Sequence, residues 1–143
     1  MFIGEYAYTI DEKGRATLPP KYRNLLAEGV VVTRGLDNCL FLYTKKDWEE
    51  IAGKLGAMPT TDKAARDYAR LMLAGAMDAQ PDKLGRIVLP QYLRDFAGLK
   101  KDIVVAGLYN RMEIWEAGEW KKYEAQIEKN SADIAEKLTS LGV

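Results

Sequence analysis

The sequence predicts an α+β, β-rich protein in which two tandem modules close into a pseudo-twofold β-barrel with peripheral helices. One observation is a repeated motif, DEKGRATLP at residues 11–19 and DKLGRIVLP at residues 82–90. A second is that each half predicts four short strands with a helix after the last one, an order typical of α+β proteins. The third is physical: four strands leave open edges, and two such halves remove those edges by closing on one another.

The repeat extends beyond the motif. Asp, Gly, Arg, Leu and Pro fall in register, and Arg23 and Arg94 match further along. A second block, GLDN in the first half and GLYN in the second, matches after a shift of one residue, which a loop can absorb. Such self-similarity indicates an internal duplication. The modules are residues 1–58 and residues 77–143, the latter with a C-terminal helix, and a connecting helix lies within residues 59–76.

The first module predicts its elements from local patterns. Tyr6, Tyr8 and Ile10 alternate with shorter or polar residues, as in a strand. The Asp-x-x-Gly stretch is a turn, because Asp can hydrogen-bond its own backbone and Gly supplies a positive φ. Residues 30–33 are a β-branched run, typical of a buried strand, and Thr44 is placed to cap a helix. The predicted strands are 5–10, 16–18, 30–33 and 40–43, and the predicted helices are 20–26 and 45–55.

The second module repeats this order. Its predicted strands are 77–80, 87–89, 103–106 and 112–115, and its predicted helices are 91–97 and a long one from 119 to 138. Between the modules, Ala65, Tyr68, Ala69 and Met72 recur at helical spacing and predict a helix over 62–74. Three substantial helices exceed what a compact double barrel uses, so we expect a homo-oligomer of several subunits.

The composition narrows the classes of function. The chain has no histidine, which removes the usual proton shuttle near neutral pH and the usual metal ligand. Its single cysteine, Cys39, allows no internal disulfide and fits a reducing compartment. Neither a Gly-rich phosphate loop nor metal-ligand spacing occurs. We therefore expect no catalytic residue, no metal site and no cofactor, and the protein is not expected to be an enzyme.

The sequence also predicts where the protein is located and which segments carry its charge. No stretch is long and apolar enough to span a bilayer, and the N-terminus lacks a basic region followed by an apolar run, so a cytoplasmic location without a membrane partner is expected. The formal net charge is zero, yet residues 13–34 and 83–101 each carry a net charge of +4, whereas residues 113–143 carry −3. This separation would let one face of the protein meet DNA and another face meet a neighbour.

The motif supplies the candidate site. Arginine can contact guanine O6 and N7 bidentately, and Lys or Arg can neutralise phosphates. An alternative stays open at this point: each motif arginine pairs with its own aspartate and only holds the turn. The candidate DNA-binding residues are Lys13, Arg15, Lys21, Arg23, Lys83 and Arg86, and the candidate structural turn residues are Asp11, Gly14, Asp82 and Gly85.

Several segments together carry a family resemblance: MFIGEY at residues 1–6, IDEKGR at 10–15, TRGLD at 33–37 and the second motif. In this order, over essentially the whole chain, they resemble the MraZ family. The resemblance implies two AbrB-like (swapped-hairpin) repeats forming a barrel and a ring-shaped homo-oligomer associated with the nucleoid. It also implies binding of double-stranded DNA at short G-rich direct repeats in the promoter of the division and cell-wall gene cluster.

The two motif loops differ at one position: the second loop has the apolar Leu84 where the first loop has Lys13. We therefore expect the loop of Arg15 to contribute more to DNA binding than the loop of Arg86. Two rival functions remain. The first is an AbrB-like, antitoxin-type protein-interaction module without a primary DNA role, supported by the zero net charge. The second is an enzyme using Asp11 and Asp82, although the turn already explains both carboxylates.

Overall fold

The structure is a computed structural model that describes residues 1–143. Eight strands and six α-helices follow one another as pairs of strands, each pair followed by one or two α-helices. The strands are β1 (Glu5–Thr9), β2 (Arg15–Thr17), β3 (Val30–Arg34), β4 (Leu40–Thr44), β5 (Met77–Ala79), β6 (Arg86–Val88), β7 (Asp102–Gly107) and β8 (Met112–Glu116). The helices are α1 (Arg23–Leu26), α2 (Lys45–Gly56), α3 (Lys63–Ala69), α4 (Gln91–Phe96), α5 (Ala117–Lys129) and α6 (Ser131–Lys137). Short 3₁₀ turns occupy Pro20–Tyr22 and Thr139–Leu141, and a π-helical turn occupies Arg70–Ala74.

The two halves exchange strands. Six strands form one antiparallel sheet in the order β1-β7-β8-β4-β3-β5. The first strand of the N-terminal half, β1, therefore pairs with β7 of the second half, and β5 of the second half pairs with β3 of the first. The remaining strands, β2 and β6, form a separate two-stranded antiparallel ribbon. Because each half completes the other, the two modules are interlocked in a single fold.

The prediction of a closed barrel is wrong in one respect: the hydrogen-bonded sheet is open. Strands β1 and β5 are its edges, and the ribbon packs across one face of the sheet. A single bridge, between Ile10 and Ala16, links the end of β1 to the ribbon. Each ribbon strand has only three residues between a motif turn and a proline, so it is too short to pair with a whole edge of the sheet.

Apolar residues fill both faces of the sheet. Leu40 and Leu42 of β4 face the main core beneath the ribbon, which Ala16 and Ile87 enter from the other side. Phe41 and its neighbours at alternate positions face a second cluster under α2 and α3. Burial on both faces explains why β3 and β4 are continuous apolar runs instead of alternating ones. The second cluster consists of Cys39, Phe41, Tyr43, Leu55, Met72 and Trp115.

The helices confirm most of the predicted pattern. Thr44 caps α2, since its Oγ1 accepts a hydrogen bond from the Asp47 backbone N–H at 3.1 Å. The long C-terminal helix predicted as one element is wrong: it divides at Asn130, whose Nδ2 donates to the Gln126 carbonyl at 3.0 Å. Side chains of this type offer the backbone an alternative to helical hydrogen bonds. No helix in the chain combines the length and the apolar character needed to cross a membrane.

Candidate nucleic-acid interface

The first motif forms the predicted turn. The Asp11 carboxylate accepts hydrogen bonds on Oδ1 from the backbone N–H groups of Lys13 (3.0 Å) and Arg15 (2.9 Å). Gly14 has a φ of 78°, and its N–H donates to the Asp11 carbonyl at 3.0 Å. L-residues rarely adopt such a φ, so the motif requires glycine at this position.

The second motif repeats this geometry. Asp82 Oδ1 accepts from the backbone N–H groups of Leu84 and Arg86, each at 2.9 Å, and Gly85 has a φ of 74°. The same turn therefore forms in both modules, with the Asp carboxylate accepting backbone hydrogen bonds and the Gly at a positive φ.

Each motif arginine also pairs with its own aspartate. Arg15 Nε lies 2.6 Å from Asp11 Oδ2, and Arg86 Nε lies 2.9 Å from Asp82 Oδ2. The pairing that the sequence left open as an alternative thus exists. It uses only Nε, however, and the terminal guanidinium nitrogens of both arginines form no hydrogen bond within the chain. The side chains are 30% and 26% exposed, so each arginine is fixed at Nε and presents its terminal N–H groups to solvent.

The turns also keep the two carboxylates charged. The backbone N–H of Arg15 lowers the pKa of Asp11 from its ordinary value, and the Arg15 side chain and the Lys13 N–H act in the same direction. In the second turn, the backbone N–H of Arg86 lowers the pKa of Asp82, again with help from the Arg86 side chain. Both carboxylates are therefore ionised at neutral pH, as the Nε pairing requires.

The ribbon places both motif arginines on one surface. Arg15 pairs with Val88, and Thr17 pairs with Arg86, in the ladder between β2 and β6. The central pair, Ala16 and Ile87, is buried in the main core. Because side chains alternate between the two faces of a strand, the arginines point away from the core, one at each end of the ribbon. We call this surface the ribbon face; its members are Arg15, Thr17, Arg86 and Val88.

The two modules hold each other's motif loops. The backbone N–H of Leu18 donates to the Gly85 carbonyl at 2.9 Å, and the N–H of Leu89 donates to the Gly14 carbonyl at 2.8 Å. These paired bonds relate the two turns by the pseudo-twofold of the chain. Each loop is therefore positioned by the other half of the protein as well as by its own aspartate.

A second matched pair of arginines lies nearby, of which Arg23 reinforces this exchange and Arg94 acts within its own module. Arg23 donates to the Leu84 carbonyl at 3.3 Å, and Arg94 Nε donates to the Leu89 carbonyl at 2.9 Å. The repeat matches these two arginines, but no local pattern indicates that Arg23 reaches across to the other module. Arg23, a candidate for DNA contact, is exposed and close to the second motif loop, while it also supports that loop.

The candidate lysines differ from the arginines in being unpaired. Lys13, Lys21 and Lys83 are exposed and form no salt bridge. The Lys21 ammonium lies 5.6 Å from the centre of the Tyr22 ring. Lys13 and Lys83 belong to the two motif turns, so the structure brings them to the two ends of the ribbon with the arginines.

The remaining reactive groups lie away from this surface. Cys39 is completely buried, and burial raises the pKa of its thiol well above the ordinary value. No group of three or more His, Cys, Asp or Glu side chains is arranged to hold a metal ion. The chemistry available at the ribbon face and its two turns is therefore that of the Arg15 and Arg86 guanidinium groups and the Lys13 and Lys83 ammonium groups, which bind anions and base edges.

The fold and this surface define a class: a tandem-repeat α+β protein whose two Asp-x-x-Gly-Arg turns lie at opposite ends of one ribbon. A profile of the family described as "MraZ protein, putative antitoxin-like" matches residues 1–71 and again residues 72–141. The chain belongs to the MraZ family, which confirms the resemblance seen in the sequence.

Relatives of known name are similar over the whole chain. The transcriptional regulator MraZ of Acetivibrio thermocellus is 43% identical over 143 residues, covering 100% of both chains. The transcriptional regulator MraZ of Natranaerobius thermophilus is 42% identical with the same coverage. The transcriptional regulator MraZ of Salinispora arenicola is 46% identical over 136 residues, which are 95% of this chain and 96% of that relative.

Proposed function

We propose that this protein is a sequence-specific DNA-binding transcription regulator that reads DNA with its ribbon face. The observation that carries the proposal is the state of the two motif arginines. Each is fixed through Nε to an ionised aspartate, and each leaves its terminal N–H groups unpaired at the surface. A guanidinium held in this way loses little conformational entropy when it binds, which favours selective contact over a loose electrostatic one.

The shape of the ribbon suits a major groove. A two-stranded antiparallel ribbon fits the major groove of B-DNA, where guanine presents O6 and N7 as paired acceptors. The terminal N–H groups of Arg15 and Arg86 are the donors for these acceptors. Lys13 and Lys83, exposed in the same turns, contact the phosphates on either side, and Lys21 and Arg23 add positive charge near the ribbon. The names of the relatives, all transcriptional regulators, support this role.

The second part of the proposal is assembly into a ring of several subunits on short direct repeats, upstream of the division and cell-wall gene cluster, as the family resemblance implies. Helix α6 has no buried residue, and apolar side chains on α5 and α6 are exposed, among them Ile127 and Ile134, with Leu138 just beyond α6. Contacts between subunits would cover these side chains. Several subunits bound to several repeats gain affinity through effective concentration. A DNA partner of this kind places the protein in the cytoplasm, at the nucleoid.

One observation favours a second candidate function. The same exposed apolar side chains on α5 and α6 could receive another protein, and the family description includes the words antitoxin-like. In that case the protein is an antitoxin-type interaction module, and the ribbon face has no primary role. The two functions differ in the surface that binds the partner, which is the ribbon face for DNA and the exposed side of α5 and α6 for another protein.

A gel-shift assay with DNA from upstream of the protein's own gene tests the proposal. We expect wild type to shift this DNA, and a Lys13→Ala/Lys83→Ala variant to bind more weakly with a shallower salt dependence, by about one unit of slope per lost phosphate contact. A Lys46→Ala/Lys54→Ala variant is the matched control, because these lysines are exposed on α2, away from both the ribbon and the proposed subunit contacts. Equal losses in both variants, or no shift by wild type, would contradict the proposal.

A further inference from the structure

The second module carries two exposed apolar side chains beside the motif arginines. Val88 is 54% exposed and lies directly opposite Arg15 in the ribbon ladder. Leu84 is 61% exposed and lies in the turn two residues before Arg86. Arg86 is thus flanked on its own chain segment by an apolar side chain on each side.

The first module does not repeat this feature. The position matching Leu84 holds Lys13, and the position matching Val88 holds Thr17. The motif arginine of β6 therefore lies between two apolar side chains, whereas the motif arginine of β2 lies between two polar side chains. The pseudo-twofold of the backbone is broken at the positions that face outward.

Exposed apolar residues are common on protein surfaces, so exposure alone means little. The position is what gives these two residues significance. Directly opposite residues of an antiparallel pair have Cβ atoms about 4.5–5.5 Å apart, so the methyl groups of Val88 lie close to the Arg15 side chain. In the major groove, the apolar group that base edges present is the 5-methyl of thymine.

We propose that Leu84 and Val88 contact thymine 5-methyl groups beside the guanines that the arginines contact. This inference rests on the proposed DNA-binding function and names a specific element of the DNA sequence. Val88 follows Arg86 by two strand residues, a span of about 6.7 Å, which is close to two base-pair steps of about 3.4 Å. The thymine contacted by Val88 therefore lies within about two base pairs of a guanine.

The broken symmetry has a consequence for the DNA site. A symmetric dimer matches a palindrome, because each half reads the same bases. Here one strand of the ribbon contacts methyl groups and the other does not, so a single chain binds a site that has a direction. Sites with a direction can follow one another head to tail along the DNA, as direct repeats do.

Selection of random duplexes by the wild-type protein, followed by methyl deletion, tests the proposal. Each thymine of the selected site is replaced in turn by uracil, which removes only the 5-methyl, and affinity is measured by fluorescence anisotropy. We expect at least one replacement to weaken wild type about fourfold, the factor that corresponds to about 0.8 kcal/mol for one buried methyl. That penalty should vanish in Leu84→Ala or in Val88→Ala.

Leu36→Ala is the matched control, because Leu36 is 50% exposed and lies in the turn between β3 and β4, outside the ribbon. The control should keep the full uracil penalty. A selected site without a methyl-sensitive thymine, or a penalty that persists unchanged in both Leu84→Ala and Val88→Ala, would overturn this inference and leave DNA binding intact. Failure to select any sequence would overturn both the inference and the proposed function.

Discussion

Replacing Gly14 by alanine tests whether the motif turn requires a left-handed residue. At its φ of 78°, an L-residue costs about 1–2 kcal/mol relative to glycine. A Cβ at this position would also lie 3.2 Å from the Leu89 carbonyl oxygen and 3.2 Å from Arg94 Cζ, closer than ordinary van der Waals contact. We therefore expect Gly14→Ala to lower the free energy of unfolding by about 1–3 kcal/mol, the range typical of a strained backbone position.

Thermal unfolding followed by circular dichroism at fixed protein concentration measures this loss. For a chain of this size, we expect Tm to fall by roughly 3–10 °C. Gly53→Ala is the matched control, because Gly53 lies within α2 with open space where a Cβ would be. That variant should gain about 0.5–1 kcal/mol, since glycine weakens a helix interior. A Tm for Gly14→Ala at or above that of wild type would refute the argument.

Three further predictions concern pH, capping and packing. Folding lowers the pKa of Asp11 and of Asp82, so their ionised forms stabilise the fold above the unfolded pKa of about 3.9, and this stability is lost as pH falls through the folded pKa. The Tm of wild type should therefore drop below about pH 4. The Tm of Asp11→Asn/Asp82→Asn should drop less steeply over the same range. Thr44→Ala removes the α2 cap and should cost about 1 kcal/mol in urea unfolding, whereas an unchanged midpoint would show that the cap contributes nothing. Met72→Ala, at a 1% exposed position of the second cluster, should cost about 2–5 kcal/mol, and a loss below about 1 kcal/mol would contradict the packing described.

Local signals predicted most of the fold. The Asp-x-x-Gly turn, the Thr44 cap and the buried run 30–33 each depend on residues close together in the sequence, and the structure confirms all three. The internal repeat then transferred each assignment to the other half. The break at Asn130 was missed because asparagine within a polar helical segment is a weak stop signal.

Features that depend on distant residues were not predictable. The open sheet follows from how short β2 and β6 are once they pair with each other, which no local pattern reveals. The contact of Arg23 with the Leu84 carbonyl joins residues 61 positions apart. The sequence leaves open that Arg15 pairs with Asp11, but it cannot show that the pairing uses Nε and leaves the terminal nitrogens without a partner in the chain.

Substitution of Arg15 tests the central claim, that the motif arginines read DNA. Arg15→Gln places an amide N–H where Nε lies, so the hydrogen bond to Asp11 can persist while the terminal nitrogens are lost. Arg15→Ala removes both the hydrogen bond to Asp11 and the terminal nitrogens. Arg70→Ala is the matched control, because Arg70 is an exposed arginine in the turn after α3.

The measurement is an anisotropy titration of wild type and these variants on DNA carrying one, two and three repeats. A lost guanine contact of about 1–3 kcal/mol corresponds to about 5- to 150-fold per site, and the loss multiplies with repeat number when several subunits bind. We predict this growing loss for Arg15→Gln and Arg15→Ala, and wild-type affinity for Arg70→Ala. Wild-type affinity in Arg15→Gln and Arg15→Ala, or affinity indifferent to repeat number, would show that Arg15 only supports its turn.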